Sequence, residues 1–206
     1  MRWSFRLFVV SCVLFFVACS QREIPVLGQI PNFQLSDQEG KAVSTKDLNG
    51  RVWIADFFFT SCAGSCPLLT QRMKGIQEFI ATKVAEPDRA KLGLLSFSVD
   101  PERDTPERLK DYAKKFGADP KLWWFLTGPV NEITKTVMDG FKISMGKVAL
   151  ATPDPEGDAQ PFDIVHGEKF VLIDPQGRIR GYYNSDEPES MKNLTQDMQF
   201  FLREKP

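Results

Sequence analysis

Cys62 and Cys66 stand with three residues between them in Thr60-Ser61-Cys62-Ala63-Gly64-Ser65-Cys66-Pro67, and the chain holds a single histidine, His166. In an oxidising compartment two thiols this close form a disulfide unless they are reduced or metal-bound. A purely structural disulfide over so short a loop would stabilise little through chain entropy. Two soft sulfurs and one imidazole suit Cu(I) and, with added oxygen donors, accept Cu(II). A structural zinc site wants four protein ligands, whereas a catalytic zinc with three ligands and a water also matches the count. The same dithiol could serve thiol–disulfide exchange, one thiolate attacking a client disulfide and the other resolving it. Pro67 puts Cys66 at or beside a helix N-terminus, where the helix dipole favours a thiolate. A lone histidine excludes any site built on two or three histidines.

These groups need a frame, and the surrounding sequence supplies one. Val52 to Phe59 (VWIADFFF) is a nearly unbroken apolar run rich in aromatic and β-branched residues, which predicts a buried central strand ending just before the cysteines. Pro67 to about Ala85 repeats apolar residues at helical steps, and Leu92 to Val99 reads as a second buried strand. Thr105 and Pro106 have the chemistry of a helix cap and first helical residue, for a helix running to about Phe116. Trp123–Leu126 reads as a short strand, with Trp123 and Trp124 either core or a docking surface, and Val130–Met138 as a helix. Earlier, Phe33-Gln34-Leu35 and the turn Asp37-Gln38-Glu39-Gly40 predict a small hairpin. Later come a polar loop, Thr152–Asp163, a hairpin over Lys169–Ile173 and Arg178–Tyr183, and a closing helix from about Ser190 to Leu202.

Strand–helix–strand–helix followed by a hairpin and a helix is the element order of an α/β, thioredoxin-like fold. This one carries an N-terminal hairpin extension and a loop insertion before His166. If the strand from Lys169 runs antiparallel to the central one, its start lies at the edge where Val52–Phe59 ends, which brings His166 toward the cysteines. Asp100, at the end of the second strand, emerges at the same edge. It either supports the site from outside its ligands or, with Asp104, shapes a turn and caps a helix.

The 206 residues carry 26 Lys+Arg against 27 Asp+Glu, with 42% hydrophobic and 26% charged. That is the make-up of one ordinary globular domain, and the balanced charge argues against a nucleic-acid binder working through a basic field. Met1–Ala18 stands apart. Arg2 and Arg6 precede the apolar run Leu7–Ala18, which is too short to span about 30 Å of hydrocarbon and suits a signal peptide. Phe16-Val17-Ala18-Cys19 resembles a bacterial lipoprotein cleavage box, with Phe16 where that box usually carries Leu. The expectation is a signal over residues 1–18 that takes Cys12 with it, a lipidated Cys19, a tether over residues 19–29 and one domain over residues 30–206. Plain cleavage or an uncleaved anchor are the other readings. All three make the chain exported, and the first holds it by lipid on the periplasmic or extracytoplasmic side of a membrane.

Three motifs in order, DFFFTSCAGSCP (Asp56–Pro67), SVDPERDTP (Ser98–Pro106) and His166 followed by FVLIDPQGRI (Phe170–Ile179), resemble the Sco/SenC family. The likeness spans roughly Ile30 to Leu202. It implies a membrane-tethered, thioredoxin-like copper protein that helps to assemble cytochrome c oxidase. By the same resemblance Cys62, Cys66 and His166 match the family's copper ligands, and the two cysteines its redox-active dithiol. The implied task is copper delivery to, or thiol reduction of, the binuclear copper site on oxidase subunit II. A thiol–disulfide oxidoreductase acting through the same dithiol is the alternative. A peroxidase of similar fold would need an arginine-supported Pro-x-x-x-Thr/Ser-x-x-Cys setting, which the Cys62 loop lacks.

Overall fold

A computed structural model describes residues 23–144, 147–149, 162–164 and 168–203. The targeting segment, Cys19, most of the polar loop 152–163 and His166 lie outside them. In chain order the elements begin with β1 (Gly28–Gln29), the hairpin β2 (Gln34–Ser36) and β3 (Ala42–Ser44), and β4 (Val52–Phe58). There follow α1 (Cys66–Lys83), β5 (Leu92–Ser98), α2 (Pro106–Phe116), β6 (Trp123–Leu126) and α3 (Val130–Thr134). The last are β7 (Lys147–Ala149), β8 (Phe162–Ile164), β9 (Lys169–Ile173), β10 (Arg178–Asn184) and α4 (Pro188–Arg203).

Six strands form one sheet in the order β1-β10-β9-β4-β5-β6. Strands β4, β5 and β6 are parallel, and β9 runs antiparallel to β4 with Trp53 opposite Ile173 and Ala55 opposite Val171. Every residue of β4 and β5 is buried, because helices or loops cover both sheet faces; this is why their sequences are apolar runs rather than alternations. Ile54 faces α1 and α4, and Phe58 meets Tyr112 of α2 and Phe125. On the opposite face Trp53 meets Trp124, and Phe57 packs on Phe97 and Phe141. The fold is α/β and thioredoxin-like, as the element order implies.

The predicted hairpin is present. The Asp37 carboxylate accepts from the amides of Glu39 and Lys41, both at 2.9 Å, and Gly40 takes the left-handed conformation (φ 75°) that closes the turn. Gln38 then covers the open edge of β6: its Oε1 accepts from Phe125 N at 2.8 Å and its Nε2 donates to Trp123 O at 3.3 Å. Trp123 and Trp124 are core residues, the Trp123 ring N–H donating to Ser96 Oγ at 2.9 Å.

Three details differ from the sequence reading. The helix from Val130 widens at Lys135 into a π-helical turn to Gly140. Phe141 N donates to Thr136 O at 3.0 Å, and the wider turn sends Phe141 wholly into the core. The polar segment 152–163 ends in a strand, since β8 pairs with β7 through Lys147↔Ile164 and Ala149↔Phe162. The lead read as a tether is docked at its distal end: Ile24 is buried and β1 pairs with β10. Arg180 fastens it, donating to Asp174 Oδ2 at 2.8 Å, to Pro25 O at 3.1 Å and to Ile24 O.

Candidate metal centre

The parallel strand β4 ends at Phe58, and the chain turns through Thr60–Ser65 into α1, which Cys66 and Pro67 open. Pro67 lacks an amide proton, which the first helical turn does not need. The amide of Cys66 has no helical carbonyl to meet, and it donates instead to Cys62 Sγ at 3.4 Å. Cys62 is half-buried and Cys66 is buried, and no disulfide joins them. The sulfurs thus sit at the carboxyl end of the sheet, one on the loop and one in the first helical turn.

Their electrostatics are unequal. A hydrogen bond to Cys62 and then burial push the Cys66 thiol well above the usual thiol range, with the charges of Cys62 and Asp56 acting in the same direction. A backbone hydrogen bond at Phe59 pulls the other way. The expectation that the helix N-terminus makes Cys66 a ready thiolate is therefore overridden, by its hydrogen bond to Cys62 first and by its burial second. The helix amide and dipole act instead on the sulfur of Cys62.

Below the pair lies a buried polar group. Thr70 Oγ1 donates to Cys66 O at 2.9 Å and lies 2.9 Å from the Tyr112 hydroxyl. Burial raises the titration of Tyr112, partly offset by Thr70. Asp56, fully buried on β4, adds its charge to the environment of both Cys66 and Tyr112. It was visible in the sequence as the one charged residue in an otherwise apolar strand.

Asp100 emerges beside the end of β4, as expected. Val99 N donates to Phe58 O at 2.8 Å, and Asp100 O accepts from Arg103 N and Asp104 N. Its carboxylate lies 3.6 Å from Arg103 Nη1. Asp104 has the more direct hold on the cysteine loop. Fully buried, it accepts from Thr60 N at 3.0 Å and Thr60 Oγ1 at 2.5 Å, and from Ser98 Oγ at 2.6 Å. In the sequence Asp104 shows only turn and capping chemistry, because it precedes Thr105, whose hydroxyl accepts from Arg108 N at 3.4 Å. His166 and Cys19 lie outside the described residues. Among the described residues no group of three or more His, Cys, Asp or Glu is gathered as a metal site, and no helix is long and apolar enough to cross a membrane.

The family model described as SCO1/SenC matches residues 26–202. The chain belongs to the SCO1/SenC family. Its fold is similar to the crystal structure of a SCO1/SenC family lipoprotein from Bacillus anthracis, at 34% identity and TM-score 0.68, covering 85% of this chain and 96% of that one. It is similar to ScoI of Bradyrhizobium japonicum with copper bound, at 28% identity and TM-score 0.66, covering 84% and 99%. BsSco, a member of the Sco family of cytochrome c oxidase assembly proteins in which a disulfide switch has been identified, matches at 30% identity and TM-score 0.68, covering 90% and 100%.

Proposed function

We infer that this chain is a copper metallochaperone whose cargo is held by Cys62, Cys66 and His166 and passed to the binuclear copper site of cytochrome c oxidase subunit II. The observation that carries the reading is the Cys62–Cys66 pair at the carboxyl end of β4, one sulfur half-exposed and the other buried at a helix N-terminus. Such a pair presents soft ligands from one side, so that a partner with more or better-placed donors takes the ion from the other. The antiparallel run of β9 against β4 supports the third ligand, because the chain enters β9 at the edge where β4 ends. The copper-bound relative and the oxidase-assembly relative support the cargo and the client. Asp100 is read as an outer support to the ligands, beside them at the same edge. Lipid on Cys19, after removal of residues 1–18, would hold the domain on the extracytoplasmic side of a membrane; the lipoprotein relative supports this.

Cys66 must lose its proton to bind, so copper uptake releases a proton and weakens in acid. A titration of the reduced protein with Cu(I) against a competing chelator tests the reading. One ion binds per chain, and Cys62→Ser, Cys66→Ser and His166→Ala each abolish stoichiometric binding. Retention of full affinity by His166→Ala contradicts the three-ligand site.

A second reading rests on the asymmetry of the thiols and on the disulfide switch of BsSco. Half-exposed Cys62 is placed to attack a client disulfide, and Cys66 to resolve the mixed disulfide, so that the client dithiol leaves reduced and the Cys62–Cys66 disulfide remains. Reduction of the client's copper-site cysteines with no copper transferred would favour this reading over delivery.

A further inference from the structure

We propose that Asp104 is a positioning residue for the cysteine loop, acting through Thr60 to hold Cys62 in the geometry that receives copper; the copper part of this rests on the function inferred above. The loop between β4 and α1 has two ends. At the helix end, Cys66 is fixed by α1 itself. At the strand end, the residue two before Cys62 is Thr60, and both of its polar groups go to one carboxylate: the amide at 3.0 Å to Oδ2 and the hydroxyl at 2.5 Å to Oδ1. Between these ends Ser61, Ala63 and Gly64 are exposed, and Cys62 N donates to Phe59 O at a long 3.3 Å. The Asp104 bonds thus pin the strand end of the loop that carries Cys62 at two points.

Asp104 is itself held from three sides. Ser98 Oγ on β5 donates to it at 2.6 Å and accepts from Asp100 N at 3.2 Å, and Asp104 N donates to Asp100 O at 2.9 Å. The residue is fully buried, and bonds to a charged acceptor away from water are short and strong. Three donors therefore converge on two oxygens, joining the end of β4, the end of β5 and the start of α2 under the cysteine loop. Such a device keeps two sulfurs ready for an ion instead of ordering them on each binding event.

The chemistry predicts a graded series. In Asp104→Asn the amide oxygen can take the bonds of Thr60 N and Ser98 Oγ, and the Thr60 hydroxyl rotates to accept from the new NH2. Asp104→Ala loses all three bonds, and Thr60→Val loses one while keeping the backbone amide. Each reduced protein is followed by Cu(I) competition against a chelator, by thermal unfolding and, without metal, by the ratio of Cys62 to Cys66 alkylation with iodoacetamide. Asp104→Ala should lower Cu(I) affinity about tenfold, the cost of re-ordering roughly one residue of backbone per binding event. It should shift the alkylation ratio in the same protein, with Thr60→Val between it and the native chain and Asp104→Asn restoring both readouts.

A folded Asp104→Ala protein that keeps native copper affinity and a native alkylation ratio overturns the proposal, whatever its unfolding temperature. So does an Asp104→Asn protein as impaired as Asp104→Ala, because charge and not bonded geometry would then be at work. If Asp104→Ala does not fold, Thr60→Val decides by the same two readouts. If the native chain binds no copper, the inferred function fails, and the metal-free alkylation ratio still decides whether Asp104 places Cys62.

Discussion

The backbone amide of Cys66 donates to the sulfur of Cys62 at 3.4 Å, so the half-buried cysteine accepts the first amide of the helix that the buried one opens. A thiolate is a better acceptor than a thiol, and the amide lies at the positive end of α1. The amide is therefore directed at Cys62, while Cys66 is buried and held above the usual thiol range, by its hydrogen bond to Cys62 first and then by burial.

The first consequence is unequal reactivity. In the reduced, metal-free protein iodoacetamide should modify Cys62 about tenfold faster than Cys66, because the thiolate is the nucleophile and Cys66 is both buried and held protonated. Peptide mapping after short exposure measures the two rates. Equal labelling would contradict the asymmetry.

Alkaline pH should weaken the metal-free fold. In the unfolded chain a cysteine loses its proton near 9.0 and a tyrosine near 10.0, whereas Cys66 and Tyr112 titrate higher when folded. The unfolded state thus binds fewer protons than the native one above about pH 9, and stability falls as pH rises through that window. Urea midpoints at about pH 8 and about pH 10.5 measure the loss, and Tyr112→Phe should reduce it. A midpoint that rises over this interval would contradict the burial of both groups.

On the opposite sheet face Gly93 tests the packing of β5. A Cβ there would come within 2.2 Å of the Trp53 ring, which is tilted against Trp124 and lies under the Arg51 guanidinium. Gly93→Ala should therefore cost about 1–3 kcal/mol by overpacking, read as a lower urea midpoint with unchanged slope. Trp53→Phe in the same background should recover part of the loss by making room.

The elements that carry the dithiol were legible because their signals are local. The apolar run from Val52, the proline after Cys66 and the Thr105–Pro106 cap mark their ends by chemistry within a residue or two, and β4, α1 and α2 fall there. The two-residue strand β1 has no period to read, and its docking depends on Arg180 and Asp174, far away in sequence. The π-helical turn before Phe141 follows from that ring's place against Phe57 and Phe97, which local periodicity does not encode. Asp104 reads locally as a residue beside a cap, and only the meeting of β4 with β5 brings it to Thr60. The raised Cys66 follows from its hydrogen bond to Cys62 and then from burial, and both depend on the folded loop rather than on the local helix terminus. His166 stands out in the sequence by its rarity and its place before β9, and it lies outside the described residues.

On the function inferred here, Cys62, Cys66 and His166 act together on one copper ion. Extended X-ray absorption on the reduced, Cu(I)-loaded domain tests it most directly. The expected result is a shell of two sulfurs and one imidazole nitrogen, with the nitrogen lost in His166→Ala. A sulfur-only shell in the native protein, or a nitrogen signal that survives His166→Ala, would contradict it.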